Sequence, residues 1–555
     1  MTATEEVRAD AKANDGMLAP LRLAAFRRMW MASLFSNFGS LIQGVGAAWV
    51  MTQLTSKVEL VALVQAAQAG PVLLFALMAG AIADMYDRRI VALVALGIAF
   101  SGSCALTILD LVGVMTPAVL LVCVAVTGVG VSLLSPSWQA AVREQVPIET
   151  LPAAVALNAI SYNIARSFGP AIGGVIVAVA GAVAAFAANA ASYLPMIYAM
   201  VRWKRLQEPA RLPPEGLARA IVSGVRYVMH SPPIRNVLVR VFLTALLGTS
   251  VTALLPLVAR NLLHGDAKTF GLLLGAFGVG AVSAALNITR LRKRFSAEAM
   301  VRGCNVLLGV GASLIGLSTS LPLTATALFI AGAGWMLSVN ECNIAIQISA
   351  PRWVTGRALA TYQAGMAGGI SLGAWLWGHV AELAGVRSSL ILSAMLLVLL
   401  PLAGLWLRLP SRGQAPLEAQ PPTDPEVALA LTERSGPVRI EIEYNIDPKV
   451  ARKFYGLMQE IRTVRSRSGG YGWSLARDIA RPERWIESYT CPTWLDYLRQ
   501  RTRATHSERE LQAKVMELQD PAQPNQVRRW LVRPFGSVRW KDNSPDGAGA
   551  AIASL

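Results

Sequence analysis

The sequence predicts an all-α polytopic membrane protein with twelve transmembrane helices in two six-helix bundles, followed by a C-terminal α+β domain. Three observations carry that prediction. Of 555 residues, 54% are hydrophobic and only 15% charged, with a mean hydropathy of +0.45, too apolar for an ordinary water-soluble chain. Nearly all the long apolar runs precede Leu409. A charged hairpin, GAIADMYDRR (Gly80–Arg89), links two such runs, and LNITRLRKRF (Leu286–Phe295) repeats the device about 205 residues later.

The segments follow in order. Residues 1–26 form a polar N-terminal tail with no apolar h-region, so no cleaved signal peptide is expected. Residues 27–201 hold apolar runs near 31–52, 60–83, 90–109, 117–137, 155–180 and 183–201. Each approaches the ~20 residues a helix needs to cross the hydrocarbon core. Residues 202–235 make a linker whose GLARAIVSGVRYVMH can form an amphipathic helix lying on the membrane surface. Residues 236–409 hold six more runs, near 238–260, 270–289, 299–320, 323–348, 360–384 and 389–408. All should be helical, because lipid offers backbone groups no hydrogen-bonding partner. Two parallel halves are a recurring plan among transporters.

Residues 410–436 read as a Pro-rich linker, 437–535 as a soluble domain and 536–555 as a disordered Gly/Ala/Ser-rich tail. In the soluble domain VRIEIEYNI alternates like a strand, and Asp447-Pro448 opens a helix. Two more alternating stretches follow, then one long helix from Pro492 to Gln519 and a strand, QVRRWLVRP. The order βαββαβ is ferredoxin-like.

The net charge of +17 does not indicate nucleic acid. The Lys and Arg residues gather in alternate loops, which by the positive-inside rule places both termini in the cytoplasm. Cys104, Cys123, Cys304, Cys342 and Cys491 have no metal-ligand spacing, so no metal, cofactor or disulfide is expected. No GxxxxGK[ST] phosphate loop is present to support an ATP-driven pump.

The hairpin GAIADMYDRR resembles the signature between helices two and three of the major facilitator superfamily, with Asp87 where a Gly is usual and Met85 where a basic residue is usual. FRRMW, LPAAVALNAISYNIARSFGPAIGG and APRWVTGRALATYQAGMAGG resemble its bacterial branch containing the enterobactin exporter. The C-terminal segment is similar to the antibiotic-biosynthesis-monooxygenase type of dimeric α+β barrel, so dimerisation through it is an expectation. The resemblance implies a gate at Asp84, Asp87, Arg88 and Arg89. It also implies a helix-packing motif at Gly169, Pro170, Gly173 and Gly174, similar to that of drug–proton antiporters.

Ionisable residues inside spans are expensive and by default functional. Arg166 is therefore the candidate for holding an anionic substrate or a counter-charge. Glu341 is the candidate for proton coupling, because low dielectric favours a neutral carboxyl. It is also the natural partner for Arg166. Asn37, Gln43, Asn158, Asn163 and Asn340 could line the substrate path. The expected function is secondary active efflux of a small organic molecule such as a siderophore, drug or secondary metabolite by proton antiport, with lipid, substrate and protons as partners. The alternative is a membrane-anchored enzyme or sensor acting through the C-terminal domain.

Overall fold

The computed structural model describes residues 18–147, 150–203, 217–410, 434–502, 506–519 and 525–532, with a few positions between 425 and 432. The expected tail and linker segments outside these ranges, and the side chains of Asp84 and Asn163, lie outside the described residues. The chain divides into two compact units. One comprises residues 1–221, 236–346 and 359–411, the other residues 222–235, 347–358 and 412–555.

The first unit is helical. Its first half contains α1 (Ala24–Leu54), α2 (Val58–Met85), α3 (Arg88–Leu111), α4 (Pro117–Gln145) and α5 (Leu151–Arg202). Helix α5 breaks at Gly181, whose φ of 78° is strained for residues with a Cβ. The break falls in the short gap that hydropathy leaves between the fifth and sixth runs. After α6 (Leu217–Met229), the second half contains α7 (Pro232–Ala253), α8 (Ala267–Arg294), α9 (Ala297–Leu317), α10 (Leu321–Ser349), α11 (Arg352–Ala384) and α12 (Val386–Leu399). Among the described residues, nine helical stretches are long and apolar enough to cross a membrane by length and composition. Leu74, Ile90, Val122, Val179 and Met395 are exposed on their helices. Such apolar exteriors suit a lipid solvent.

Two of the expected turns are shorter than the sequence reading has them. Helix α8 continues through the basic stretch to Arg294, leaving Phe295 and Ser296 as the turn, with the Ser296 hydroxyl accepting from the Ala299 amide. Arg292, Lys293 and Arg294 in its last turn complement the negative end of the helix dipole. Likewise α2 runs to Met85 and α3 begins at Arg88.

The second unit carries a four-stranded sheet ordered β2-β3-β1-β4, every adjacent pair antiparallel. The strands are β1 (Val438–Asn445), β2 (Tyr471–Arg477), β3 (Arg484–Cys491) and β4 (Gln526–Leu531). Helix α13 (Ala451–Arg467) follows β1. The single helix expected before the last strand is instead α14 (Trp494–Thr502) and α15 (His506–Met516), either side of residues 503–505, which are outside the described residues. Ile440, Tyr444, Phe454, Met458, Ile461 and Tyr489 build the core. Helix α6 contributes Tyr227, 3% exposed, with the Arg467 guanidinium 5.2 Å from its ring centroid. Burial pushes the Tyr227 phenol up to about 12.

Candidate functional site

Two contacts of the first charged hairpin lie within its own half. The Asp87 carboxylate caps α3 by accepting from the Arg89 amide at 2.8 Å. The Arg89 guanidinium donates to the Val201 carbonyl, at the end of α5, at 2.6 Å. Arg88 is half-buried at the start of α3.

The second half uses its charges in ion pairs. Glu341 on α10, 1% exposed, accepts from Arg292 of α8 at 2.6 Å. The described carboxylate partner of Arg292 is thus Glu341, and the expected pairing of Glu341 with Arg166 is not observed. The reason is geometric: α8 stays helical through Arg292, so a residue read as a loop charge reaches α10. Arg166 is half-buried on α5, with no hydrogen bond or ion pair among the described residues.

A second cluster escapes the sequence reading. Arg240 on α7, 1% exposed, donates to both Glu298 oxygens at 2.6 Å. Arg302 reaches the same carboxylate at 2.6 Å and the Gly404 carbonyl at 2.8 Å, while the Leu409 amide donates to Glu298 at 3.0 Å. Charge-assisted bonds of this kind are the strong ones. An arginine inside an apolar run was the available signal, the same one that singles out Arg166.

The candidate amides separate by environment. Gln43 is 3% exposed, and its Oε1 accepts from Ser103 and from Asn189, each at 2.7 Å. It therefore fastens α1, α3 and α5 together, with two partners the sequence reading did not name. Asn37 donates to Ser161 at 3.4 Å, again joining α1 and α5. Asn340 is half-buried beside Glu341. The Asn158 Oδ1 is buried without a hydrogen-bond partner among the described residues.

Gly169 and Gly173 pack against α1, where an added Cβ would meet Leu41 and Ile42 at 3.1 Å. Gly174 faces the other half: a Cβ there would lie 2.5 Å from the Cα of Gly271 on α8. Pro170, one turn before it, presents its carbonyl 3.2 Å from where a Gly271 Cβ would be. The halves also meet where the Glu382 carboxylate accepts from the Val58 amide at 2.5 Å. Leu73 lies 3.2 Å from a Cβ placed on Gly368, further along α2 and α11.

The C-terminal domain centres on Glu487, which is fully buried. It accepts from Tyr444 at 3.0 Å, Arg465 at 3.0 Å and Trp473 at 3.1 Å. Burial, with the Glu487 charge beside it, holds the Tyr444 phenol well above its ordinary value. A buried carboxylate with this many donors is satisfied as a structural element. Among the described residues no cluster of His, Cys, Asp and Glu could hold a metal.

Comparison with known proteins places this geometry in a family. Residues 15–534 match the model of the transmembrane secretion effector family, so the match includes the C-terminal domain. The multidrug efflux pump Tap of Mycolicibacterium fortuitum is 24% identical over 70% of this chain and 95% of its own. The enterobactin exporter EntS of Salmonella choleraesuis is 26% identical over 68% and 91%, and the staphyloferrin A transporter of Staphylococcus aureus 25% identical over 51% and 72%. Among solved structures, a bacterial homologue of the human lysosomal transporter Spinster aligns with a TM-score of 0.56 at 13% identity, over 70% of this chain and 97% of that one. The human organic anion transporter MFSD10 aligns at 0.51 and 15% identity, over 68% and 99%. These two likenesses speak to the fold alone. The chain therefore belongs to the transmembrane secretion effector family of the major facilitator superfamily, a family of multi-pass secondary transporters of small organic molecules.

Proposed function

We propose that this protein exports a small organic molecule, of the siderophore, drug or secondary-metabolite class, by proton antiport across a bacterial inner membrane, with twelve spans and both termini cytoplasmic. The observation that carries the reading is the buried Glu341–Arg292 pair at 2.6 Å. A carboxylate paired with a guanidinium in a low-dielectric site can be ionised and paired, or protonated with that pair broken. Proton arrival at Glu341 would break its pair with Arg292 and let α8 and α10 move relative to each other. Proton departure restores the pair and biases the bundles back.

The contacts between halves support an alternating-access cycle. Val58–Glu382 and Gly174–Gly271 join them near the loops that the charge pattern assigns to the outer face. At the opposite end Asp87 caps α3 and Arg89 bonds the end of α5, which places the charged hairpin where an inner gate would act. Asp84 belongs to that gate, with Asp87, Arg88 and Arg89. Arg166, Asn158, Asn163 and Asn340 supply the substrate path, whereas Asn37 and Gln43 shape it from behind.

Proteoliposome flux tests the reading, with a substrate first chosen by thermal stabilisation across a siderophore and drug panel. E341Q should abolish accumulation driven by an imposed proton gradient while keeping passive exchange of labelled substrate. Proton-driven accumulation equal to wild type would exclude Glu341 as the coupling group.

A further inference from the structure

Two neighbouring residues of α6 are sunk into the C-terminal domain. Tyr227, 3% exposed, lies beneath the Arg467 guanidinium, which donates to Glu508 of α15. A buried phenol ring under a cation is held by its apolar area and by cation–π attraction together. Arg226 reaches the turn that follows α13: a Cβ on Gly469 would lie 2.8 Å from its Nη2. Gly469 leaves that space open, and its φ of 106° is one that residues with a Cβ rarely adopt.

The start of α11 meets the same helix. Residues 347–358, from the end of α10 to the second turn of α11, belong to one compact unit with residues 222–235 and the C-terminal domain. The Arg357 side chain lies over Gly224, where an added Cβ would meet its Cδ at 2.9 Å and its Cβ at 3.0 Å.

The position of α6 in the chain gives these contacts leverage. It lies between α5 of the first half and α7 of the second, so a rotation of one half against the other is passed along it. A bridge surrounded only by solvent would follow that rotation freely. This one is held by a folded domain and by α11, and displacing it uncovers Tyr227 or parts Gly224 from Arg357.

We propose that the C-terminal domain is a brake on transport: gripping α6, it holds the conformation described here, and releasing α6 lets the halves leave it. The proposal rests on the alternating-access reading above.

Disulfide formation between α2 and α11 tests the proposal in the full-length chain. A Cβ on Gly378 would lie 2.7 Å from that of Ala62, close to the Val58–Glu382 contact, so A62C with G378C reports this conformation. In lipid nanodiscs, without substrate or proton gradient, adding Y227D or R226E should slow disulfide formation at least threefold. Y227F keeps the buried ring and should leave the rate unchanged, which separates loss of the seat from general damage. An unchanged or faster rate with Y227D or R226E, or equal slowing with Y227F, would overturn the proposal. Wild-type proteoliposome flux alongside unchanged disulfide rates defeats the brake alone, whereas absence of that flux defeats the alternating-access reading and the brake with it.

Discussion

At the first charged hairpin Asp87 caps its own helix and Arg89 holds a backbone carbonyl. Around the second, Arg292 and Arg240 hold carboxylates on other helices, Glu341 and Glu298. The two halves therefore share a helical frame and a basic turn, and in the described contacts Arg89 holds a backbone carbonyl where Arg292 holds a carboxylate. Among the described residues, buried carboxylate–guanidinium pairs of the helical unit lie in the second half. A basic turn of the same kind can thus be fastened to a backbone carbonyl or to a carboxylate on a neighbouring helix.

The sharpest way to break the asymmetry is E298Q. It leaves Arg240, whose side chain is 2% exposed, facing Arg302 without a carboxylate between them. Removing one member of a buried pair typically costs about 3–5 kcal/mol, so the melting temperature in detergent should fall well below that of wild type. An unchanged melting temperature would reduce the cluster to incidental contact.

G174V attacks a contact that involves both halves equally. A side chain there meets the Gly271 backbone, and overpacking of this kind costs about 1–3 kcal/mol. Cross-linking of Cys pairs placed at the α5–α8 contact should drop as α5 is pushed away, and transport should fall with it. Retained cross-linking would show that the helices tolerate the volume.

The smallest effect is expected at the first hairpin. D87A should cost about 1 kcal/mol through loss of the helix cap, while D87N, which can still cap, should leave the melting temperature nearly unchanged. If D87N nevertheless loses transport, Asp87 acts through its charge as well as its cap. If both variants transport normally, its role is capping alone.

Much of the frame was readable in advance because hydropathy and strand alternation are local properties. The runs ending near 180 and starting near 183 bracket Gly181, and VRIEIEYNI became β1. Partners were not readable in the same way. Glu341 stood out by its depth, but Arg292 looked like a loop charge until α8 carried it into reach of α10. Gln43 was legible as a polar residue in a span, yet its commitment to Ser103 and Asn189 depends on three helices meeting. Glu487 carries no local signal, since its donors come from β1, α13 and β2.

The seating of Tyr227 beneath Arg467 has an evolutionary consequence. Helix α6 is both the chain's bridge between the halves and a wall of the C-terminal domain, so its surface answers to two selections. A lineage that discards the domain uncovers a buried aromatic on the bridge and must replace it with a polar residue. A lineage that keeps the domain must change Tyr227 and Arg467 together, so the two positions should drift as a pair only where the domain is retained.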